Sequence, residues 1–108
     1  MNTAKLKKNK YDLCINHAAL HHISHLDHLV RQIYYSLEDT GYFVCNDYIG
    51  PHRNQYSYKL MSAMDKLNTS LPEKYQKKLG YPHLPTMLHT DPSEAIHSEL
   101  IIDTIERY

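Results

Sequence analysis

The feature that most constrains this chain is a short apolar run, an amphipathic helix and a second short apolar run, all within residues 11–47. Tyr11-Asp12-Leu13-Cys14-Ile15-Asn16 is apolar without strict alternation, the pattern of a strand buried on both faces in a parallel sheet. Leu26, Leu29, Val30, Ile33, Tyr34 and Leu37 then mark one face of a helix. Ser24 is the expected N-cap, with Asp27 in a capping-box-like position, and Gly41 is the expected stop. Tyr42-Phe43-Val44-Cys45-Asn46 repeats the buried-strand pattern. Strand, helix and strand at this spacing make a βαβ unit, which requires parallel strands and a right-handed crossover. The expected fold class is therefore α/β, with strands at about 11–16 and 42–47.

The flanks carry weaker signals. Residues 1–10 are polar and aperiodic and are expected to be a loose lead-in. After a loop with Gly50 and Pro51, a helix is expected over about 56–71, burying Leu60, Met64 and Leu67. Pro72 should open a short helical turn ending at Gly80, and residues 81–90, with two prolines, should be extended. Asp91-Pro92-Ser93-Glu94 reads as the start of a last helix, about 92–107, presenting Ile96, Leu100, Ile101 and Ile105. Residues 54–108 thus form a helical region beside the βαβ unit. Two parallel strands alone bury too little apolar surface and leave an open edge on each side, so the domain 11–108 reads as incomplete.

Composition removes several classes of function. Twelve basic residues balance twelve acidic ones, so no net field draws the chain to nucleic acid or an anionic membrane. No apolar run approaches a membrane span, and no apolar core follows the basic N-terminus as in a secretory signal. Cys14 and Cys45 lie in strand-like runs and lack a CxxC spacing, which suits free buried thiols and a cytoplasmic location.

Three blocks, Tyr11–Ile23 (YDLCINHAALHHI), Gly41–Tyr56 (GYFVCNDYIGPHRNQY) and Tyr81–Leu100 (YPHLPTMLHTDPSEAIHSEL), occur in series. In that order and spacing they resemble the C-terminal half of class I S-adenosylmethionine-dependent methyltransferases, in a bacterial subgroup of largely unassigned substrate. The resemblance implies a partial Rossmann-like methyltransferase fold, with the first block as fourth strand and "HH" turn, 42–47 as fifth strand, and the rest as a helical substrate-side insertion. It implies methyl transfer to a small-molecule acceptor with S-adenosyl-L-methionine as cofactor. The family holds that cofactor over a glycine-rich turn, whereas Gly41, Gly50 and Gly80 here are widely scattered. The isolated chain is therefore not expected to bind S-adenosylmethionine usefully.

By the same resemblance Asn16, His17 and Ala18 line the cofactor, and His21 or His22 faces the transferred methyl. An imidazole suits proton removal from an acceptor hydroxyl or amine; the alternative for either ring is to satisfy a nearby backbone group. Asp47-Tyr48-Ile49-Gly50-Pro51-His52-Arg53-Asn54-Gln55 follows the second strand, where open α/β sheets place ligands. Tyr48 is a candidate to position or deprotonate an acceptor, and Asp47, His52, Arg53 and Gln55 are candidates for acceptor binding. Arg53 suits a carboxylate or phosphate, or else ties down a helix end. His89, Glu94 and His97 fall in the third block, but Glu94 already has a capping role. His17, His21, His25 and His28 would align only if helix began at residue 17, which the strand pattern opposes, so no metal site is expected. The rival readings are a non-enzymatic polypeptide that completes its sheet with another chain or a second copy, and a histidine-rich metal binder.

Overall fold

The computed structural model describes residues 2–108. The β-rich runs form β1 (Tyr11–His17) and β2 (Leu37–Asn46), paired in parallel as a two-stranded sheet, with α1 (Leu26–Ser36) crossing between them. The register sets Leu13 opposite Tyr42, Ile15 opposite Val44 and His17 opposite Asn46. Strand periodicity thus divides the sheet into two faces. Cys14, Asn16 and Phe43 belong to one, with Phe43 reaching the core against α1. Leu13, Ile15, Tyr42 and Val44 belong to the other, where Ile15 is 70% and Tyr42 72% exposed. Strands of doubly buried type are therefore present with only one face covered.

The core lies between α1 and the chain's C-terminal end. Leu20, Ile23, Leu26, Leu29, Val30 and Ile101 are buried together, with Ile33, Phe43 and Ile105 packed against them. Four of the six stripe positions of α1 join this core, while Tyr34 stays half-exposed and Leu37 falls in β2. Residues 2–10 are irregular, as their composition suggests, but they are docked along α1. The Ala4 carbonyl lies 3.0 Å from His28 Nε2, and the Lys10 amide donates to the Ser36 carbonyl.

Local signals were overridden in several places. The residue capping α1 is His25, with no side-chain cap bond, and Asp27 instead accepts from Arg107 (2.8 Å) and the Tyr108 hydroxyl (3.0 Å). Nor does Gly41 end α1. The helix stops at Ser36 because Leu37 is already extended (φ −72°, ψ 146°) and starts β2 without a linker. Gly41 lies within β2 at a bulge, where four residues (Glu38–Gly41) oppose the single step Tyr11 to Leu13. A Cβ at Gly41 would stand 3.0–3.2 Å from backbone atoms of Glu38 and Tyr11, so close backbone approach explains the residue.

The helical region is less regular than its sequence suggests. After α2 (Tyr58–Ser70), capped by Ser57 accepting from the Leu60 amide, comes a 3-10 turn at Glu73–Tyr75 that ends well before Gly80. Residues 84–90, expected to be extended, form α3 (Leu84–Thr90), because Pro85 sits in the first turn, where its missing N–H costs nothing. No residue of α2 or α3 is buried; Leu60 and Met64 are only half-covered and Leu67 is exposed. The expected long last helix is divided into turns over 92–97, a 3-10 turn Ser98–Leu100 and α4 (Ile101–Glu106). The break falls at Ala95, whose φ of 48° no right-handed helix can accommodate. With α2 and α3 standing off the core, the radius of gyration is 17.4 Å, against about 13 Å for a compact chain of some 100 residues.

Both cysteines are free, but Cys14 is half-covered and Cys45 exposed, since the sheet lacks the neighbours that would bury them. No helix among the described residues is long and apolar enough to cross a membrane.

Candidate functional site

The carboxyl ends of β1 and β2 meet at Asp47, one residue beyond β2. Its side chain is 0% exposed and accepts five hydrogen bonds. Oδ2 takes the Asn16 Nδ2 donor at 2.6 Å and the Ala19 and Leu20 amides at 2.9 and 2.7 Å. Oδ1 takes its own neighbour's amide, Tyr48 N, at 2.8 Å, and His21 Nδ1 at 2.5 Å. Desolvation alone would raise the carboxyl's pKa. The donors from Asn16, His21, Leu20 and Ala19 outweigh it and hold the group far below the ordinary carboxylate range. Asp47 is therefore a fixed charge that closes the turn after β1, not an acceptor-binding side chain as expected.

That turn presents the two histidines. Ala18 takes φ 49° and its amide donates to the Asn46 carbonyl, turning the chain off β1 into the 3-10 turn Leu20–His22. His21 is buried, and because Asp47 accepts at every contact, Nδ1 carries the proton and Nε2 the lone pair. His22 packs against it with ring centroids 4.0 Å apart. The two rings face residues 91–94, which sequence reasoning assigned to a helix cap. His22 Nδ1 is 3.0 Å from Ser93 Oγ, which itself donates to Asp91 Oδ1 at 2.8 Å. Glu94 does not cap a helix. Its carboxylate stands 3.7 Å from His21 Nε2 and 3.9 Å from His22 Nε2.

Backbone contacts fix this juxtaposition. The Ile96 amide donates to the His21 carbonyl, and the Arg53 amide to the Ala95 carbonyl. Arg53 also donates through Nη1 to the Pro92 carbonyl at 2.5 Å, so its guanidinium ties down the 91–96 segment. His52 and Gln55 close their own turn: the His52 amide donates to Gln55 Oε1, and His52 Nδ1 accepts from the Asn54 amide. Each of these side chains thus spends part of its hydrogen-bonding capacity on local structure.

Tyr48 borders the site with its ring edge-on to His21 at 6.4 Å. Its hydroxyl donates to the Pro51 carbonyl at 2.8 Å, with Tyr56 Oη 3.4 Å away. Desolvation, the Tyr56 hydroxyl and nearby negative charge push its pKa up to about 12, which disqualifies it as a base near neutrality. Gly50 is required beneath it, since a Cβ there would lie 2.6–2.7 Å from the Tyr48 ring. Cys45, whose Sγ accepts from Asn16 Nδ2 at 3.2 Å, is no better a nucleophile. Desolvation and the Asp47 charge raise its pKa against the opposing hydrogen bond.

The expected cofactor liners diverge. Asn16 is buried and its amide is spent on Asp47 and Cys45, while Ala18 is exposed. His17 is exposed and lies 3.4 Å from Asn46 Nδ2. Asn16 and His17 also line a cavity of about 440 Å³ together with Leu6, Cys14, Leu20 and Phe43, but this space is almost wholly apolar. No glycine takes positive φ, and Gly50, which follows β2, stands alone rather than in a glycine-rich turn. These residues do not fit S-adenosylmethionine.

The helical His17, His21, His25 and His28 set does not exist: His17 ends β1, His25 precedes α1 and His28 contacts Ala4. The group that converges among the described residues is His21, His22 and Glu94, joined across more than seventy positions. Spacing could not have revealed it, because Glu94 arrives through the Arg53 clamp and the Ala95 turn. Compared with models of protein families, with curated proteins and with solved structures, the chain shows no match.

Proposed function

We propose that this chain is the acceptor side of a class I methyltransferase-like domain, with His21 as its proton acceptor. The observation that carries the reading is the Asp47–His21 pair at the carboxyl ends of two parallel strands. Asp47 fixes the tautomer and stabilises the imidazolium, so Nε2 can take the proton of an acceptor hydroxyl or amine. The proton then leaves from Nε2 to solvent. The order of the three sequence blocks supports the family, and the open edges and bare face of the two-stranded sheet support a Rossmann-like domain completed by further strands and helices. The two free thiols suit the reducing cytoplasm.

Residues 2–108 offer no glycine-rich grip on a methyl donor, and no methyl-transfer step is assigned to them. Calorimetry with S-adenosylmethionine and the 108-residue chain should show no micromolar binding. A polypeptide in which a glycine-rich strand–turn–helix half of this methyltransferase class precedes residue 1 should bind it. Micromolar affinity in the chain alone, or a joined polypeptide that folds and still fails to bind, overturns the reading.

A second reading, a non-enzymatic subunit that completes its sheet with another chain or a second copy, is favoured by one observation. Leu13, Ile15, Tyr42 and Val44 form a continuous exposed apolar face.

A further inference from the structure

The hydrogen bonds around His21 and His22 leave two lone pairs aimed at a carboxylate. Asp47 has only acceptor atoms, so His21 donates through Nδ1, and in the neutral ring Nε2 is bare. Ser93 spends its hydroxyl proton on Asp91, so Ser93 Oγ accepts from His22 Nδ1, and that ring's Nε2 is bare as well. Both Nε2 atoms then face Glu94, whose oxygens are themselves acceptors, at 3.7 and 3.9 Å. With both rings neutral, three acceptor groups converge without a donor and repel one another unless a proton or a metal ion stands between them.

We propose that His21, His22 and Glu94 bind a divalent first-row transition ion such as zinc. One ligand atom from each of the three residues lies within 4.8 Å of the others. A tetrahedral ion with bonds of roughly 2.0–2.2 Å separates its ligands by about 3.4 Å, so the widest pair must close by up to about 1.4 Å. Glu94, 40% exposed, can make most of that movement, and His22, 29% exposed, the rest together with its Ser93 partner, while His21 is pinned.

The outer partners are those a metal-bound histidine needs. Asp47 holds the far nitrogen of His21, and the Ser93–Asp91 pair holds that of His22, fixing ring orientation and tautomer. Two imidazoles and one carboxylate form a donor set for zinc or iron(II) rather than for calcium or magnesium, which take oxygen ligands. Three protein ligands leave an open position on the half-exposed side, where water or a substrate oxygen can bind.

This site does not depend on the methyl-transfer reading. A cation on His21 Nε2 occupies the lone pair that a base would use, so metal-loaded and base-competent forms exclude each other.

The test is titration of the metal-free chain with zinc by calorimetry and with cobalt(II) by visible absorption. One ion should bind per chain, with intense cobalt bands of low coordination number. His22→Ala and Glu94→Gln, at partly exposed positions, should fold as judged by circular dichroism and weaken zinc binding at least tenfold. His17→Ala and His89→Ala, at exposed histidines, should bind as the parent does. Absence of binding, affinity unchanged in both site variants, or equal losses in the His17 and His89 variants overturns the proposal.

Discussion

Replacing Asp47 by asparagine tests whether one carboxylate organises the site. The amide is nearly isosteric, so packing is preserved and hydrogen-bond polarity changes alone. If Asn Nδ2 took the Oδ2 position it would oppose three donors, from Asn16, Ala19 and Leu20. The opposite orientation costs less: the amide oxygen serves those three, while Nδ2 opposes the Tyr48 amide and meets His21 Nδ1, which must then accept. His21 is driven to the Nε2–H tautomer. Three charge-assisted bonds become neutral ones, each losing about 0.5–1 kcal/mol, and the Tyr48 amide loses its acceptor, partly offset by no longer burying a charge. The net cost is about 2 kcal/mol, a fall in Tm on the order of 10 °C for a chain of this size. Because the folded carboxyl titrates below its unfolded value near 4, its contribution is complete above that pH and is lost as pH falls below it. Wild type and variant should therefore differ most near neutrality and converge on acidification. Thermal melts from pH 7 to 3 give the stability, and nitrogen-15 shifts give the tautomer. A loss below about 0.5 kcal/mol, or a His21 that keeps its Nδ1 proton in the variant, would refute the reasoning.

Three smaller experiments address other elements. Ala18 is exposed at φ 49°, so Ala18→Gly should relieve strain and stabilise the chain by roughly 0.5–1 kcal/mol in chemical denaturation; destabilisation would contradict the left-handed turn. Ile15→Lys with Val44→Thr, on the bare sheet face, should leave Tm within a few degrees and lower self-association in size exclusion with light scattering. A parent chain already monodisperse as a folded monomer would count against any need to cover that face. Tyr48→Phe loses the bond to the Pro51 carbonyl and the long contact to the Tyr56 hydroxyl, so Tm should fall by a few degrees, about 1 kcal/mol; a fall in zinc affinity as large as that of Glu94→Gln would mean that Tyr48 belongs to the metal set.

The βαβ unit was legible because its signals are collective. Six apolar positions of α1 and two β-rich runs agree, and no single residue decides the outcome. Failures cluster where one residue was made to carry a boundary. Gly41 reads as a helix stop, but its missing side chain serves close approach to Glu38 and Tyr11 across a bulge. Asp91-Pro92-Ser93-Glu94 has every mark of a helix start, yet Ala95 at positive φ ends it within a turn. The histidines at 21 and 22 were found through the resemblance, and their relation to Asp47 follows from parallel pairing, which sets both strand ends side by side. Glu94 was assigned to capping because its tertiary partners lie far away in sequence and leave no periodic trace. The structural engagements of Arg53, His52 and Gln55 were equally hidden: His52 and Gln55 bond within their own turn, and Arg53 reaches Pro92, far away in sequence.

The Arg53 clamp has a consequence for the segment between its two ends. Arg53 and Pro92 touch, so the chain leaves the body of the protein and returns to it at nearly one point, with α2 and α3 forming a detour between. Because that detour buries none of its helical residues, its length and sequence are uncoupled from the geometry of His21, His22 and Glu94. It behaves as an appendage hung from a closed ring. A single protease cut within it should yield two fragments that stay associated, and a short linker in its place should leave the three ligand groups where they are.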